Sequence, residues 1–345
     1  MTLIADQVSP VAESISETVV GRPALPRPPA LQRGDTIGVV APSSSPREGW
    51  LTRGVKALER VGFNVLIDSE LLTLRRFLRK EDERRAENLM AMWADPRVKA
   101  VIGGTGGYGA VRMIPHLEPE LFRLHPKAFV GYSDVTALHL WLNRRAGLRT
   151  FHGPTVDDLA PGNRDATMAS LLTSLTIARP SARLGRGITR AVRPGRAVGR
   201  LVGGNLSLVQ QSIGTPYEIP ADGAILFLEE TKDPMSFVDE RLLHLRAAGL
   251  LPRVRGIVFG HLSLDRSEED EFEDFVLDLV SDLDVPVLMD FPAGHDSPNL
   301  TLPLGTEVEL VVEDEGGWLQ YHEDALAGAH VAVGEGGTRD PGRDD

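Results

Sequence analysis

The sequence predicts an α/β protein with two domains, and three observations support this. The 345 residues exceed the roughly 150 that one typical domain needs. Hydrophobic residues make up 42% and charged residues 25% of the chain, the balance of a globular protein. Short apolar runs alternate with amphipathic helical patterns through the first half, as they do in parallel sheets.

The first half has the strand–helix–strand rhythm of a doubly wound, mainly parallel sheet. Strands are predicted at the apolar runs 36–40, 65–67, 100–102 and 128–130. Between and after them, apolar residues recur at helical spacing at Leu51, Val55 and Leu58, at Ala86, Leu89, Met90 and Trp93, and at Val135, Leu138 and Leu142. We therefore expect a flavodoxin-like N-terminal domain over residues 34–178.

The second half is less regular and predicts a smaller C-terminal domain with a mixed sheet, residues 196–333, after a polar linker, 179–195. The predicted strands are 198–202, 224–228, 256–259, 287–289 and 308–312, and the predicted helices lie near 237–248 and 269–283. Proline-rich residues 1–33 predict a disordered or extended leader, and residues 334–345 predict a disordered tail.

Charge and composition exclude several classes of function. The formal net charge of −12 disfavours nucleic acid and anionic membrane surfaces as partners. The absence of cysteine excludes disulfides, thiolate zinc sites, iron–sulfur clusters and a cysteine nucleophile. The sequence contains no 18-residue apolar window and no signal-peptide pattern at the amino terminus, so we expect a cytoplasmic protein.

A serine follows the predicted strand 128–130 in the motif Gly131, Tyr132, Ser133, Asp134, just before an amphipathic helix. A serine at such a turn presents its hydroxyl above the carboxyl edge of the sheet, where helix amides favour a developing negative charge. The alternative is that Ser133 or Asp134 only caps the helix, which is an ordinary role for both residue types.

A glycine loop, residues 103–109, follows the strand predicted at 100–102 and contains five glycines. Its backbone amides can hold a phosphate or an oxyanion. A tight turn with positive φ is the alternative, although one turn rarely needs five glycines. No Gly-Lys-Ser/Thr follows, as a Walker loop requires, and no acidic residue closes a strand about 20 residues later, as a Rossmann fingerprint requires.

A serine nucleophile needs a base and a group that orients the base. Three histidines, His152, His261 and His295, lie in predicted loops after apolar strands, where reacting groups usually lie. Glu229 and Glu230 end a predicted strand and present a carboxylate there, although a solvated strand end is the alternative. Spacing alone does not establish that these groups meet.

Together the motifs resemble those of the LD-carboxypeptidase family, the muramoyltetrapeptide carboxypeptidases. The resemblance runs from about Gly34 to Leu310 and comprises seven ordered segments. They are GDTIGVVAPS at 34–43, GGYG at 106–109, GYSD at 131–134, FHGP at 151–154, GGNLS at 203–207, LFLE at 226–229 and GHDSPNLTLP at 294–303. The resemblance implies a serine–histidine–glutamate triad between two domains, at Ser133, His295 and Glu229.

The resemblance also implies roles for the surrounding residues. Amides of Gly106, Gly107 and Asp134 are expected to hold the oxyanion, and Tyr108 and Asn205 are expected to shape the substrate pocket. No metal or other cofactor is implied. The substrate implied is a small peptide in which an L centre, of meso-diaminopimelate or lysine, is joined to a terminal D-alanine.

The family resemblance further implies peptidoglycan recycling by a homodimer. One departure is Thr105, which stands where the family commonly has an arginine before its Gly-Gly-Tyr-Gly motif. Two alternatives stay open. One is the branch that resembles the microcin C self-immunity peptidases, which would cleave aminoacyl or peptidyl nucleotide amides with the same triad. The other is a binding module without catalysis, against which the intact triad candidates argue.

Overall fold

The computed structural model describes residues 25–328 apart from 69–77, 161–164, 232, 263 and 265. The tail predicted at 334–345 and the first 24 residues of the predicted leader lie outside the described residues. The last part of that leader is described: Leu31 is buried, and Pro29 forms an isolated parallel bridge with Ala327.

The described residues form two sheets and the helices that cover them. The strands are β1 (Thr36–Val40), β2 (Asn64–Ile67), β3 (Val98–Gly103), β4 (Ala128–Gly131), β5 (Thr150–His152), β6 (Arg190–Arg193), β7 (Gly195–Asn205), β8 (Ile225–Glu230), β9 (Gly256–Leu262), β10 (Val287–Met289), β11 (Leu302–Leu304), β12 (Glu307–Glu313) and β13 (Gly316–Tyr321). The α-helices are α1 (Glu48–Arg60), α2 (Arg79–Ala94), α3 (Ala110–Met113), α4 (Pro119–Leu124), α5 (Thr136–Trp141), α6 (Asp165–Thr176), α7 (Leu206–Gln211), α8 (Met235–Ala247) and α9 (Arg266–Leu279). None of the helices in this part of the chain is long and apolar enough to span a membrane.

The N-terminal sheet has the strand order β2-β1-β3-β4-β5-β11. Strands β1 to β5 run parallel, and β11 is antiparallel to β5. The order 2-1-3-4-5 of the parallel strands is the flavodoxin-like order, so the predicted fold class is confirmed. Apolar residues of α1 and α6 cover one face of this sheet, and those of α2, α4 and α5 cover the other.

The C-terminal sheet is mixed, as predicted, with the strand order β13-β12-β7-β8-β9-β10-β6. Strands β7 to β10 run parallel, whereas β6, β12 and β13 are antiparallel to their neighbours. Helices α7, α8 and α9 bury their apolar residues against one face. The carboxyl ends of β7 and β8 therefore form an edge at which polar side chains can meet.

Two of the connections between the sheets position the carboxyl ends of their strands. The segment 290–301 leaves β10 in the C-terminal sheet and enters β11 in the N-terminal sheet. In the second connection, the backbone amide of Asn205 donates a 3.0 Å hydrogen bond to Oγ1 of Thr136. A Cβ at Gly204 would lie 2.6 Å from that same oxygen, so only glycine permits this approach. These contacts bring the carboxyl ends of β4 and β8 together.

Candidate active site

The backbone at Ser133 is held in a strained turn. β4 ends at Gly131, and a 3₁₀ turn, Ser133–Val135, begins two residues later. Ser133 has a φ of 62°, in the left-handed region that residues with a side chain rarely occupy. A Cβ at Gly131 would lie 2.7 Å from Cγ1 of Val135, so the glycine permits this tight turn. Such strain persists when surrounding contacts fix the turn, and it is frequent at functional sites.

Ser133, His295 and Glu229 form a continuous chain of hydrogen bonds. Nε2 of His295 lies 3.0 Å from Oγ of Ser133, and Nδ1 lies 2.6 Å from Oε2 of Glu229. Because a carboxylate only accepts, Nδ1 of His295 donates to it and Nε2 is left to accept from the serine hydroxyl. Glu229 is fully buried, and the side chain of His295 is 18% exposed. The three groups thus have the geometry that proton abstraction from Ser133 requires.

For both His295 and Glu229, burial and the interaction between the two side chains shift the pKa in opposite directions. Burial lowers the pKa of His295, but the hydrogen bond and negative charge of Glu229, with the charges of Glu230 and Asp158, raise that pKa above its ordinary value on balance. Complete burial raises the pKa of the Glu229 carboxyl, and the hydrogen bond with His295 opposes this. The shared hydrogen bond therefore favours the ion pair once His295 takes up a proton.

The segment 290–301 positions His295 through its backbone. The amide of Gly294 donates to Oδ1 of Asn299 at 3.0 Å, and the amide of Asp296 donates to Nδ1 of His261 at 3.1 Å. The amide of Asn299 donates to Oγ1 of Thr167, on α6 of the other domain. The loop that carries His295 is therefore fixed on both of its sides.

Asn205 binds the carboxylate of Glu230, which follows Glu229 in β8. Its Nδ2 donates to Oε1 of Glu230 at 2.9 Å, and its Oδ1 accepts the amide of Leu208 in the first turn of α7. Ser207 donates both its amide and its hydroxyl to Oε2 of Glu230. Asn205 is buried and is not among the described residues that line the cavity. Its predicted contact with substrate stays a prediction, as does that of Tyr108, which is 45% exposed and is likewise not one of the described lining residues.

The glycine loop lies directly against Ser133. A Cβ at Gly106 would lie 3.2 Å from Oγ of Ser133, and one at Gly107 would lie 2.1 Å from Oγ of Ser44. Oδ2 of Asp134 accepts the amide of Ala110 at 2.8 Å, which ties the serine turn to the end of the loop. Burial raises the pKa of Asp134, and hydrogen bonds from Ser43 and from the backbone oppose this. Gly106 therefore lies next to the hydroxyl of Ser133. That the amides of Gly106, Gly107 and Asp134 hold the oxyanion stays a prediction.

A cavity of about 610 Å³ opens beside the serine. Its described walls are Ser44, Ser45, Arg47, Trp50, Thr105, Gly106, Gly107, Tyr132, Ser133, Asp157, Asp158, Thr231 and His295. Burial raises the pKa of Asp157 to about 6, and the hydrogen bond with Thr105 opposes this shift. This volume suits a ligand of a few amino acids. Arg47, Trp50 and Asp157 were not predicted from the sequence, because no motif marks them.

The other two candidate histidines, His152 and His261, do not contact Ser133. His152 ends β5 and is fully buried, with its ring 5.9 Å from Tyr132 and 4.9 Å from Phe227. Burial lowers the pKa of His152 well below its ordinary value, so this imidazole is neutral. His261 lies within β9 and supports the loop of His295. Of the three candidates, only His295 contacts Ser133.

The chain matches family models and named relatives. Residues 37–153 match the LD-carboxypeptidase N-terminal domain, and residues 198–310 match the LD-carboxypeptidase C-terminal domain. A Bacillus subtilis protein named probable murein peptide carboxypeptidase is 34% identical over 296 residues, which are 82% of this chain and 91% of that protein. The chain belongs to the LD-carboxypeptidase family. It is therefore a peptide-bond hydrolase, and the predicted family and enzyme class are confirmed.

Two further comparisons bear on the subdivision of this family. The microcin C7 self-immunity protein of Escherichia coli is 28% identical over 330 residues, which are 85% of this chain and 94% of that protein. The crystal structure of the muramoyltetrapeptide carboxypeptidase from Oxalobacter formigenes is 28% identical and superposes with a TM-score of 0.75, covering 85% of this chain and all of that one. Both branches of the family are thus among the relatives of this chain.

Proposed function

We propose that this LD-carboxypeptidase uses Ser133, His295 and Glu229 to cleave the amide between an L centre, of meso-diaminopimelate or lysine, and a terminal D-alanine in murein tetrapeptides. The observation that carries the proposal is the hydrogen-bond chain from Oγ of Ser133 through His295 to Glu229, with distances of 3.0 and 2.6 Å. This is the arrangement by which a weak hydroxyl nucleophile is activated in serine hydrolases on unrelated folds.

The reaction has two halves. Ser133 attacks the carbonyl carbon while its proton passes to Nε2 of His295, and Glu229 stabilises the imidazolium that forms. The tetrahedral intermediate then collapses: the C–N bond breaks, and His295 gives the proton to the departing amine of D-alanine. Water, deprotonated by His295, hydrolyses the acyl-enzyme and restores the serine.

The developing oxyanion is held by backbone amides of Gly106, Gly107 and Asp134 in this proposal. The closeness of Gly106 to Oγ of Ser133 supports it. One well-placed amide donor of this kind contributes about 3 kcal/mol to stabilising the transition state. The strained turn at Ser133 supports the role of Asp134, because its amide belongs to the 3₁₀ turn that begins at the serine.

The substrate assignment draws on the relatives and on the cavity. A Bacillus subtilis relative is named for murein peptides, and a structural neighbour is named for muramoyltetrapeptide. A cavity of about 610 Å³ accommodates the end of such a peptide. A dedicated pocket is required because a leaving group of D configuration presents the opposite handedness to the one that ordinary peptidases bind.

A second candidate is the hydrolysis of aminoacyl or peptidyl nucleotide amides. The 28% identity with the microcin C7 self-immunity protein, over 85% of this chain and 94% of that protein, favours it as the alternative. Both reactions would use the same serine and histidine. The shape and charge of the cavity, not the catalytic groups, decide between them.

The deciding experiment offers the purified protein both kinds of substrate. We expect release of D-alanine from a murein tetrapeptide, no release of L-alanine from the epimer with a terminal L residue, and no cleavage of an aminoacyl sulfamoyl adenosine. Cleavage of the nucleotide conjugate alone would replace our assignment with the second candidate. The Ser133→Ala variant measured in parallel shows whether any turnover depends on the proposed nucleophile.

We further propose that the protein acts in peptidoglycan recycling in the cytoplasm and as a homodimer, as the family resemblance implies. Sedimentation of the full chain tests the dimer: a mass near twice the chain mass of 37.5 kDa is expected. Cell fractionation tests the location. A monomer, or protein found outside the cytoplasm, would contradict the corresponding proposal without affecting the assignment of the reaction.

A further inference from the structure

Arg47 supplies the positive charge of the cavity. Among the lining residues that the structure describes, it is the only side chain with a permanent positive charge. Asp157 and Asp158 bring negative charge to the same cavity, and Ser44, Ser45 and Thr105 are neutral. Arg47 is solvent-exposed, and its guanidinium forms no ion pair within 4 Å with the residues that the structure describes. The charge of Arg47 lowers the pKa of Asp157, but no carboxylate oxygen of the described residues lies within ion-pair distance of the guanidinium, which is therefore accessible to a ligand.

The backbone at Arg47 is firmly positioned. Its carbonyl accepts the amides of Trp50 and Leu51, each at 2.9 Å, in the first turn of α1. A Cβ at Gly54 would lie 1.9 Å from the carbonyl oxygen of Val156, so α1 packs with backbone contact against the segment 156–159. The backbone of Arg47 also lowers the pKa of Asp157, in that segment. The backbone of Arg47 is thus held in place, and only its side chain can change conformation.

A carboxypeptidase has to distinguish a free terminal carboxylate from an internal amide, and this requires a cation or several donors beside the scissile bond. The carboxylates of Asp157 and Asp158 would repel the terminal carboxylate of a substrate. A guanidinium attracts it and can bind both of its oxygens through two parallel N–H donors. We propose that Arg47 binds the terminal carboxylate of the peptide substrate and sets the specificity for a free carboxyl end.

This inference deepens the proposed function and rests on it. The test compares two peptides with the full-length enzyme: a tetrapeptide with a free terminal carboxylate, and the same peptide with a carboxamide in its place. We expect wild type to prefer the free acid about 100-fold in kcat/KM. Arg47→Gln should lower kcat/KM for the acid about 30- to 100-fold and leave the amide nearly unchanged, so that the preference disappears.

Arg53→Gln is the matched control, because Arg53 lies on α1, which begins directly after Arg47, and carries the same charge. Its guanidinium stacks on the ring of Trp50 at 4.6 Å, and Arg53 is not one of the described lining residues. The preference should remain about 100-fold in this variant. Arg47→Lys keeps the charge without the planar fork, so it should keep part of the preference and provides the measurement if Arg47→Gln does not fold.

The outcomes separate this inference from the function on which it rests. If the folded Arg47 variants lose kcat/KM equally for acid and amide, or keep the full preference for the acid, Arg47 does not bind the carboxylate. That result would leave the role of Ser133 intact. If Ser133→Ala turns over the acid peptide at the rate of wild type, the proposed function itself is wrong, whatever the Arg47 variants show.

Discussion

Gly294 lies directly against the carboxylate of Glu229: a Cβ at position 294 would lie 2.8 Å from Oε2. The same glycine has a φ of 122°, a conformation that residues with a side chain avoid. Because Gly294 immediately precedes His295, this close approach is what allows the imidazole to reach Glu229 at 2.6 Å. The distance between base and carboxylate therefore depends on a residue without a side chain.

Gly294→Ala should reduce kcat about 100-fold, since the added methyl group displaces the carboxylate that orients His295. Stability should also fall, by about 1 to 3 kcal/mol, because alanine is strained at this φ. Gly187→Ala is the control: Gly187 also has a positive φ, of 84°, but nothing lies within 4 Å of its Cβ position. It should lose stability without losing activity. Equal kcat in the two variants would show that the contact with Glu229 is irrelevant.

The raised pKa of His295 determines the acid limb of the pH profile. The imidazole must be neutral to accept a proton, so kcat/KM should fall as the pH drops through a value above 6.5. Glu229→Gln removes the negative charge that raises this pKa. The midpoint of the acid limb should therefore move to lower pH, and the plateau of kcat should fall about 100-fold.

The control for this shift is Glu87→Gln, at an exposed position on α2, which should leave the pH profile unchanged. Glu229→Gln and His295→Ala should both still unfold cooperatively in urea, because the apolar clusters of both domains keep all of their residues. An acid limb with the same midpoint in wild type and Glu229→Gln would contradict the proposed ion pair.

The left-handed conformation of Ser133 predicts an unusual order of stabilities. Ser133→Ala removes the hydroxyl and keeps the strain of a φ of 62°, whereas Ser133→Gly relieves it. Both variants should be inactive, and the glycine variant should be more stable than the alanine variant by about 1 kcal/mol. Urea midpoints measure this difference. A less stable glycine variant would show that the turn stores no strain.

Buried His139 predicts a loss of stability in acid. Burial lowers its pKa to about 4, although its hydrogen bond with the carbonyl of Gly131 opposes the shift. The unfolded chain therefore binds a proton that the folded chain does not, between pH 6.5 and about 4. The stability that depends on neutral His139 is complete above pH 6.5 and is lost as the pH falls towards 4, by up to about 3 kcal/mol.

Urea unfolding at pH 7 and pH 4.5 checks this expectation. His139→Gln keeps an N–H donor but does not titrate, so its free energy of unfolding should fall less between the two pH values than that of wild type. His125→Gln, at an exposed position, should behave like wild type. The same loss in wild type and in His139→Gln would contradict the assignment of the effect to His139.

Most of the parallel strands could be predicted from the sequence because they are buried on both faces and read as continuous apolar runs. The elements that were not predicted are β5, β6, β11 and β13 among the strands and α3, α4, α6 and α7 among the helices. β6 lies within the stretch that was predicted as a linker, and β11 contains Pro303 at the edge of a sheet, where proline is tolerated. Short edge strands bury few residues, so their sequences carry little pattern.

Individual residues of the site could be predicted from the sequence, but their arrangement in space could not. The positions of Ser133 and Glu229 at strand ends follow from local sequence, but 162 residues separate Ser133 from His295. No local pattern distinguishes His295 from His152 or His261, and the family resemblance supplied that choice. Glu229 and Glu230 are adjacent in β8 and both buried, and their side chains bind different partners because neighbours in a strand point to opposite faces.

The rate of D-alanine release from a murein tetrapeptide by Ser133→Ala, compared with wild type, tests the central claim most directly. If Ser133 is the nucleophile that His295 activates, the variant should lose at least about 1,000-fold in kcat while it keeps its fold. A folded Ser133→Ala protein that releases D-alanine within tenfold of the wild-type rate would contradict the claim.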